Sequence, residues 1–346
     1  MTIPPPEPTA AEIAKAAETA ANSLPAGVHH LVLHQPRSRW LVRMLVMALV
    51  MSVLFNLAQM AALQKYFPGS QPPFEKFHSG ELTSVDKIAR IEIRGSIMPP
   101  FTDRTIQAIK KAENDEHVRG VLLVIDSPGG LVADSHQIYT RLKKLAVKKP
   151  VYVQMVRLAA SGGYYVAMGA GPEAKIFAEP TTWTGSIGVI MPRYDLSKLV
   201  ETYGIKSDPL TTGPFKNSLD PLKPMSPEDR ELWDVILKDA FDRFLGVIDD
   251  GRADLDLDQV RALATGQVYT AKQAVENKLI DGIQYEEDTL KALQEHLKLK
   301  SARVIQYDSP AGLLDILLGS QTHPPKTLLE QLTEARTPQA MYLFGQ

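Results

Sequence analysis

The sequence contains no cysteine, and its positive and negative charges nearly balance. Its 346 residues include 38 Lys and Arg against 40 Asp and Glu, a formal net charge of -2. The lack of cysteine excludes disulfide bonds, a thiolate nucleophile and cysteine-ligated zinc or iron–sulfur sites. The lack of a basic excess argues against nucleic acid as a partner, because such binding depends on clustered Lys and Arg. Any nucleophile in this chain is therefore a residue of another type.

The composition is that of a folded protein, apart from its N-terminal tail. Hydrophobic residues make up 44% of the chain and charged residues 23%, which is typical of globular proteins. The first part of the chain is rich in Pro and then in Ala, without a large apolar face. The sequence therefore predicts a disordered tail over 1–39.

One long hydrophobic run follows this tail. Residues 44–64 carry no charge, and a helix needs about 20 apolar residues to cross a bilayer. This length and position favour an uncleaved transmembrane anchor over 40–64 rather than a cleaved signal peptide or a buried helix. Arg37, Arg39 and Arg43 flank its N-terminal end, so the positive-inside rule places the tail in the cytoplasm. We expect a single-pass protein of the cell inner membrane whose folded domain lies on the periplasmic side.

Beyond the anchor, the sequence predicts a linker over 65–84, an α/β domain over 85–300 and a C-terminal extension over 301–346, whose end is expected to be exposed. Apolar strands without polar alternation are separated by helices of 10–15 residues, which indicates βαβ units and a parallel sheet covered on both faces. Ser226-Pro227 and Thr270 carry helix-start signals. The strands are expected at 88–93, 121–125 and 151–156, and the first helices at 102–114 and 132–146.

Three Gly-rich turns are expected at strand ends, and each has a functional and a purely structural interpretation. The turn with Gly129 and Gly130 could present backbone N–H groups to a developing anion, or it could be a tight turn without a ligand. Ser161 has small neighbours that leave its hydroxyl accessible, and it opens a helix; it could equally be an ordinary N-cap. The turn at 184–189 could shape a groove or pack against a neighbouring strand.

A serine nucleophile needs a base, and two residue types are available. Among the histidines that follow the anchor, only His136 lies close in sequence to one of these turns, in the helix after Gly130. A lysine can also serve if burial keeps it neutral, because desolvation disfavours the ammonium form. Lys216 lies in a turn-rich, weakly charged stretch, although a solvated surface lysine is the more common case.

Taken in order, these motifs resemble the signal peptide peptidase A family of membrane-bound serine/lysine endopeptidases, in its short single-domain form. The resemblance spans about 85–290. The matching text is I-D-S-P-G-G at 125–130, K-P-V at 149–151, A-A-S-G-G-Y-Y at 159–165, T-G-S-I-G-V-I at 184–190, T-G-P-F-K at 212–216, G-Q-V-Y-T-A-K-Q-A at 266–274 and L-I-D at 279–281.

The resemblance implies a Clp-protease/crotonase-like α/β fold with a parallel sheet and flanking helices. One N-terminal transmembrane helix precedes this fold in the chain. It implies that Ser161 is the nucleophile and Lys216 the general base, and that no metal or organic cofactor is needed. It also implies an oxyanion and substrate-binding site built by the turns, with the residues Gly129, Gly130, Gly162, Gly185 and Ser186.

The partners implied by the resemblance are peptides, the membrane and further copies of the chain. Substrates would be remnants of cleaved signal peptides or misfolded membrane and exported proteins. The chain would form a homo-oligomeric ring in which Lys216 of one subunit serves Ser161 of the next, although a pair within one chain, or His136 as the base, stays open. Two other readings are a crotonase-type acyl-CoA enzyme, which CoA binding would reveal, and an inactive membrane scaffold, which a fluorophosphonate label on Ser161 would argue against.

Overall fold

The computed structural model describes residues 10–21, 39–66, 73–308 and 340–344, and the chain divides into two compact units. The first unit, residues 1–68, contains α1 (Ala10–Ala21) and α2 (Arg39–Tyr66). Residues 10–21, expected within the disordered tail, form a helix, whereas 1–9 and 22–38 lie outside the described residues. Within α2, Trp40–Gln59 is long and apolar enough to cross a membrane and is not covered by protein.

The second unit, residues 69–346, is built on a mostly parallel sheet. In the described part of the chain this sheet has nine strands, and a separate two-stranded ladder is formed by β4 and β11. The strands are β1 (Phe74–Gly80), β2 (Lys87–Arg94), β3 (Val118–Ser127), β4 (Gly129–Leu131), β5 (Val151–Ala160), β6 (Ile176–Ala178), β7 (Trp183–Gly185), β8 (Val268–Thr270), β9 (Gly282–Ile283), β10 (Arg303–Asp308) and β11 (Met341–Leu343).

The order of the main sheet is β1-β10-β2-β3-β5-β6-β9, with β7 beside β5 and β8. The neighbours from β10 to β9 are parallel, whereas β1 is antiparallel to β10 and β8 is antiparallel to β7. Helices cover both faces. They are α3 (Phe101–Asn114), α4 (Val132–Ala146), α5 (Gly162–Ala167), α6 (Ser197–Thr202), α7 (Pro227–Gly251), α8 (Leu257–Leu263), α9 (Ala271–Glu276) and α10 (Glu286–His296).

The central strand β3 explains why the predicted strands lack polar alternation. Val121, Leu123 and Ile125 belong to the large cluster that includes residues of α3 and α4, whereas Leu122 and Val124 belong to a second cluster under α10. Successive side chains of a strand point to opposite faces, and both faces of β3 are buried. The prediction of a parallel sheet covered on both sides is therefore confirmed.

The helix-start signals are also confirmed. The Ser226 side chain accepts a hydrogen bond of 3.0 Å from the Asp229 N–H, with Pro227 at the first helical position of α7. Thr270 and Gln273 form a capping box at the start of α9. Both helices therefore start where sequence places their caps.

The sheet extends beyond the bounds expected from the sequence. Residues Phe74–Gly80, expected within a linker, form β1 and pair with β10, which was expected in the C-terminal extension. The expected exposure of the chain end is wrong at Tyr342, which is fully buried in β11. Residues 309–339 of that extension lie outside the described residues. The strands β1 and β10 come from opposite ends of the domain sequence, and their pairing forms one edge of the sheet.

Candidate active site

Ser161 lies between the end of β5 at Ala160 and the start of α5 at Gly162, and its backbone is in an unusual conformation. Its φ is 53° and its ψ is -113°, a region that residues with a side chain rarely adopt. The Ser161 N–H donates to the Gly185 carbonyl at 2.7 Å, and the Ser161 carbonyl accepts from the Tyr165 N–H at 2.8 Å. These two hydrogen bonds hold a strained serine at the end of a strand, and strain of this kind concentrates at functional sites.

The alternative interpretation of Ser161 as an ordinary N-cap does not hold. Its side chain makes no capping hydrogen bond, in contrast to Ser226 and Thr270. Ser161 is only 1% exposed, yet its hydroxyl makes no hydrogen bond to any residue that the structure describes. The hydroxyl is thus held in place by the backbone and left without a partner in the described chain.

The turn after β3 is held by hydrogen bonds that involve Ser127 and Ile97. The Gly129 N–H donates to Ser127 Oγ at 3.1 Å, and Ser127 Oγ donates to the Gly95 carbonyl at 2.6 Å. The Gly129 carbonyl in turn accepts from the Ile97 N–H at 2.8 Å. The amide of Gly129 is therefore used by the turn itself, whereas the next residue, Gly130, pairs with Tyr342 of β11 in the two-stranded ladder.

Gly130 and Gly162 border the same small space. A Cβ on Gly162 would lie 3.1 Å from Gly130 N and from Gly129 Cα, and a Cβ on Gly129 would lie 2.6 Å from Gly162 N. A Cβ on Gly130 would lie 2.0 Å from the Ile97 carbonyl oxygen. Because side chains do not fit here, two backbone amides come close to each other beside Ser161. Convergent amides of this kind stabilise an oxyanion.

Gly185 contacts the backbone of Ser161, and Ser186 follows it in the same turn. Gly185 has a φ of 84° and supplies the carbonyl that holds Ser161, while Ser186 has a φ of 49° and donates its N–H to the Gln267 carbonyl at 2.7 Å. Ser186 is almost fully buried. Gly185 therefore positions the backbone of Ser161, and Ser186 joins the same turn to Gln267.

The structure of one chain does not join either predicted base to Ser161. Lys216 is exposed on a turn, and its side chain makes no hydrogen bond or ion pair within the described residues. His136 Nδ1 is hydrogen-bonded to the Tyr165 hydroxyl at 2.7 Å, and burial, with a further effect of Arg243, lowers the pKa of His136. His136 is therefore engaged with Tyr165 instead.

The segment that carries Lys216 exposes an unusual number of large apolar side chains. Leu210 is 99% exposed, and the surrounding chain shows several others to solvent: Tyr194, Leu199, Tyr203, Ile205 and Phe215. Monomeric proteins rarely expose apolar residues in such a group, which is typical of an interaction surface.

Two site residues were missed by the sequence reasoning. Ser127 links the Gly129 turn to Gly95, the residue that follows β2, and a serine directly before Pro-Gly is a recognisable turn signal. Ser135 of α4 is fully buried, its Oγ would lie 2.6 Å from a Cβ on Gly162, and it has no hydrogen-bond partner among the described residues. No sequence signal distinguishes Ser135 from other helical serines. In the same described part of the chain, no three His, Asp or Glu side chains are grouped so that they could hold a metal ion.

Comparison with known proteins agrees with this architecture. The model of peptidase family S49 matches residues 143–300, and that of Clp protease matches residues 80–183. The chain is 36% identical over 252 residues to a putative signal peptide peptidase SppA of Enterococcus faecium, covering 68% of this chain and 72% of that one. It is 30% identical to protease 4 of Salmonella typhi, over 68% of this chain and 38% of that one. It is 33% identical to the chloroplastic serine protease SPPA of Arabidopsis thaliana, over 55% and 28%.

A Clp-protease-like fold of this kind, together with these relatives, defines a serine peptidase. The chain belongs to peptidase family S49. The predicted family, fold class and enzyme class are thereby confirmed. The crotonase-type alternative is compatible with the fold, but the relatives reported above are named as peptidases or proteases.

Proposed function

We propose that the protein is a membrane-anchored endopeptidase in which Ser161 is the nucleophile and Lys216 the general base. The observation that carries this proposal is the strained Ser161 backbone, with a hydroxyl that caps no helix and two glycine amides beside it. A structural serine has no reason to hold such a conformation, because a glycine would adopt it without strain. The strain is explained if the hydroxyl has to be presented to a substrate.

The proposed reaction begins with a proton transfer. A neutral Lys216 amine accepts the Ser161 hydroxyl proton as the oxygen attacks the substrate carbonyl carbon. The negative charge that develops on the carbonyl oxygen is stabilised by the N–H groups of Gly130 and Gly162. The protonated lysine then gives its proton to the leaving amine, and water hydrolyses the acyl-enzyme by the same steps in reverse.

We place the lysine of one subunit in the active site of the next. Three facts support this assignment: Lys216 has no partner within the described chain, it is exposed, and apolar side chains surround it on the same segment. A second subunit that covered this segment would bury those side chains and remove water from the amine. Desolvation lowers the pKa of a lysine, which is what a general base near neutral pH requires. The result is a homo-oligomer, which we propose to be a ring.

The proposed substrates are extended, apolar peptides close to a membrane, such as remnants of cleaved signal peptides and misfolded membrane or exported proteins. The E. faecium relative carries the name of a signal peptide peptidase, and α2 contains one apolar segment long enough for an anchor. Arg37, Arg39 and Arg43 at the N-terminal end of that segment favour a cytoplasmic N-terminus, and we therefore propose that the peptidase domain lies on the periplasmic side of the inner membrane.

The nucleophile is tested with the full chain in detergent micelles, a fluorogenic apolar peptide and a fluorophosphonate label. Wild type should turn over the peptide and take up one label on Ser161, and Ser161→Ala should lose both. The matched control is Ser226→Ala, since Ser226 is an N-cap that does cap its helix. That control should be less stable but active. A fully active Ser161→Ala chain would overturn the proposal.

A further inference from the structure

A cavity of about 240 Å³ lies between the first turns of α3 and the edge of β2. Strand β2 runs to Arg94, whereas β10 pairs with it only as far as Arg90. The last two residues of β10 pair with β1 instead. Within the described chain, the edge of β2 beyond Arg90 therefore has no strand beside it, and residues 91–94 of this edge line the cavity.

Two buried hydroxyl groups in the lining have no hydrogen-bond partner. Thr102 of α3 is 3% exposed, and neither its Oγ1 nor the Tyr307 hydroxyl of β10 makes a hydrogen bond in the described part of the chain. Buried polar groups without a partner are rare, because their desolvation costs free energy. Burial also raises the pKa of Tyr307, so its hydroxyl keeps its proton at neutral pH. Both hydroxyls are thus available to donate to a ligand.

Arg104 leaves one positive charge of the lining uncompensated. It is exposed, it forms no ion pair with any residue that the structure describes, and its guanidinium carbon lies 5.8 Å from the centroid of the Phe101 ring. A guanidinium group binds a carboxylate through two parallel hydrogen bonds. The other charged residues of the lining are ion-paired with neighbours: Arg90, Glu92, Arg94 and Asp308.

The volume and the walls of the cavity fit a single residue of a peptide. Sites for cofactors and drug-sized molecules have volumes of about 300–1,000 Å³, and this cavity is smaller. Its walls include the buried side chains of Ile93, Ile97 and Ile138, which suit an apolar side chain. With the free cation and the two hydroxyls, the lining matches an apolar residue that carries a carboxylate.

The open edge of β2 can also bind a peptide backbone. The Asp86 carbonyl, just before β2, accepts from the Arg303 N–H at 2.9 Å. Every second residue from there turns its backbone groups to the same side, so those of Arg94 face the open edge. An extended peptide can add to such an edge as a further short strand.

The cavity shares a wall with the candidate active site. The Ile97 N–H donates to the Gly129 carbonyl at 2.8 Å, and the Ile97 carbonyl accepts from the Leu131 N–H at 2.9 Å. Gly130 lies between these two bonds and is bridged to Ile97. One backbone segment thus separates the cavity from the turn that contains Gly130.

We propose that this cavity binds the C-terminal residue of a peptide. Arg104, Thr102 and Tyr307 donate to the terminal carboxylate and to the carbonyl before it, and the apolar side chain packs against the isoleucines. A serine peptidase supplies such ligands, since each bond that it hydrolyses leaves a fragment with a new carboxylate. The inference goes beyond the proposed function and needs neither Ser161 nor Lys216.

The test is fluorescence anisotropy with two fluorescein-labelled peptides of sequence GAAL, one with a free C-terminal carboxylate and one with a C-terminal amide. The protein is the full chain with Ser161→Ala in detergent micelles, so that the probe is not cleaved. The free acid should bind about tenfold more tightly than the amide, because the amide lacks the charge that Arg104 recognises.

Four substitutions locate the binding. Arg104→Gln should remove the preference for the free acid and leave binding of the amide within about twofold. The matched control is Arg119→Gln, an exposed arginine outside the lining, which should keep the preference. Thr102→Val and Tyr307→Phe are similar in shape to the original side chains and should each weaken binding of the free acid by about two- to tenfold. Because Arg104 and Arg119 are both exposed, loss of folding is not an issue for that pair.

Equal binding of the two peptides, or a preference that survives Arg104→Gln, would overturn the inference. So would the absence of binding at roughly 1 mM peptide, since the cavity would then hold only water. Binding beside Ser161 alone would not respond to these substitutions. The proposed function is judged separately: an inactive Ser161→Ala chain without the preference rejects only the cavity, whereas an active one with the preference rejects only the nucleophile.

Discussion

Substitution of Ser161 by two small residues should separate its chemical contribution from its structural cost. The serine holds φ at 53° and ψ at -113°, a conformation that costs a residue with a side chain about 1–3 kcal/mol. An alanine at this position has the same conformational strain, and its introduction removes no capping hydrogen bond. The free energy of unfolding of Ser161→Ala should therefore match that of wild type within about 0.5 kcal/mol. Glycine relieves the strain but adds about 0.5–1 kcal/mol of backbone entropy to the unfolded chain. We expect Ser161→Gly to be more stable than Ser161→Ala by about 1 kcal/mol.

The assay is thermal unfolding of the full chain in detergent micelles, followed by circular dichroism, with peptide turnover measured on the same samples. For a domain of this size, 1 kcal/mol corresponds to about 2–4 °C in Tm. Both Ser161 variants should be inactive, whereas Ser226→Ala should lose about 1 kcal/mol with its capping bond and remain active. A Ser161→Gly chain that melts below Ser161→Ala would refute the strain argument. Turnover by either variant would exclude Ser161 as the nucleophile.

Three further predictions follow from the site and from the anchor. Inactive Ser161→Ala and Lys216→Ala subunits should regain part of the activity when mixed, because some interfaces then pair an intact serine with an intact lysine; exchange of subunits without any recovery would contradict the shared site. Gly130→Ala should lower kcat by about 100- to 1,000-fold, because a Cβ would lie 2.0 Å from the Ile97 oxygen and displace the proposed oxyanion donor. The control Gly246→Ala, which has open space around the glycine, should be active. A reporter fused after Gln346 should be active only if it works outside the cytoplasm, and cytoplasmic activity would reverse the orientation.

The parts of the fold that were predictable are those in which local pattern and tertiary structure agree. The apolar run at 121–125 lies within β3, and α4 has the predicted bounds, Val132–Ala146. The first segment is a continuous apolar run, and the second places its buried residues at helical spacing. The strand expected at 151–156 continues to Ala160, because residues 158–160 still pair with β7.

The missed strands depend on contacts that no local pattern encodes. The pairing of β1 with β10 joins residues that are more than 200 positions apart. The three residues of β11 are stabilised by backbone pairing with Gly130 and Ile190 and by the ring contacts of Tyr342 with Tyr165 and Phe244. Their own strand propensity contributes less. A short segment whose structure is dictated by contacts distant in sequence reads as irregular in the sequence.

The residues of the candidate site were predictable from the sequence, whereas their geometry was not. Small residues around Ser161 and the pair of glycines at 129–130 indicated where backbone could approach a ligand. The strain at Ser161 and the hydroxyl of Ser127 that consumes the Gly129 amide depend on φ and on a hydrogen bond to a different strand. The role of Lys216, which we propose to depend on contacts with a second subunit, stays a prediction.

The burial of β3 on both faces has a consequence for how the domain opens. This strand is paired on both edges, with β2 and β5, and its amides should be among the last to exchange with deuterated solvent, since only global unfolding exposes them. The turn that carries Gly130 is the direct continuation of β3. The Gly130 amide, which we propose as an oxyanion donor, is therefore attached to the slowest-exchanging part of the molecule, and in that role it would need no rearrangement when charge develops on a bound carbonyl.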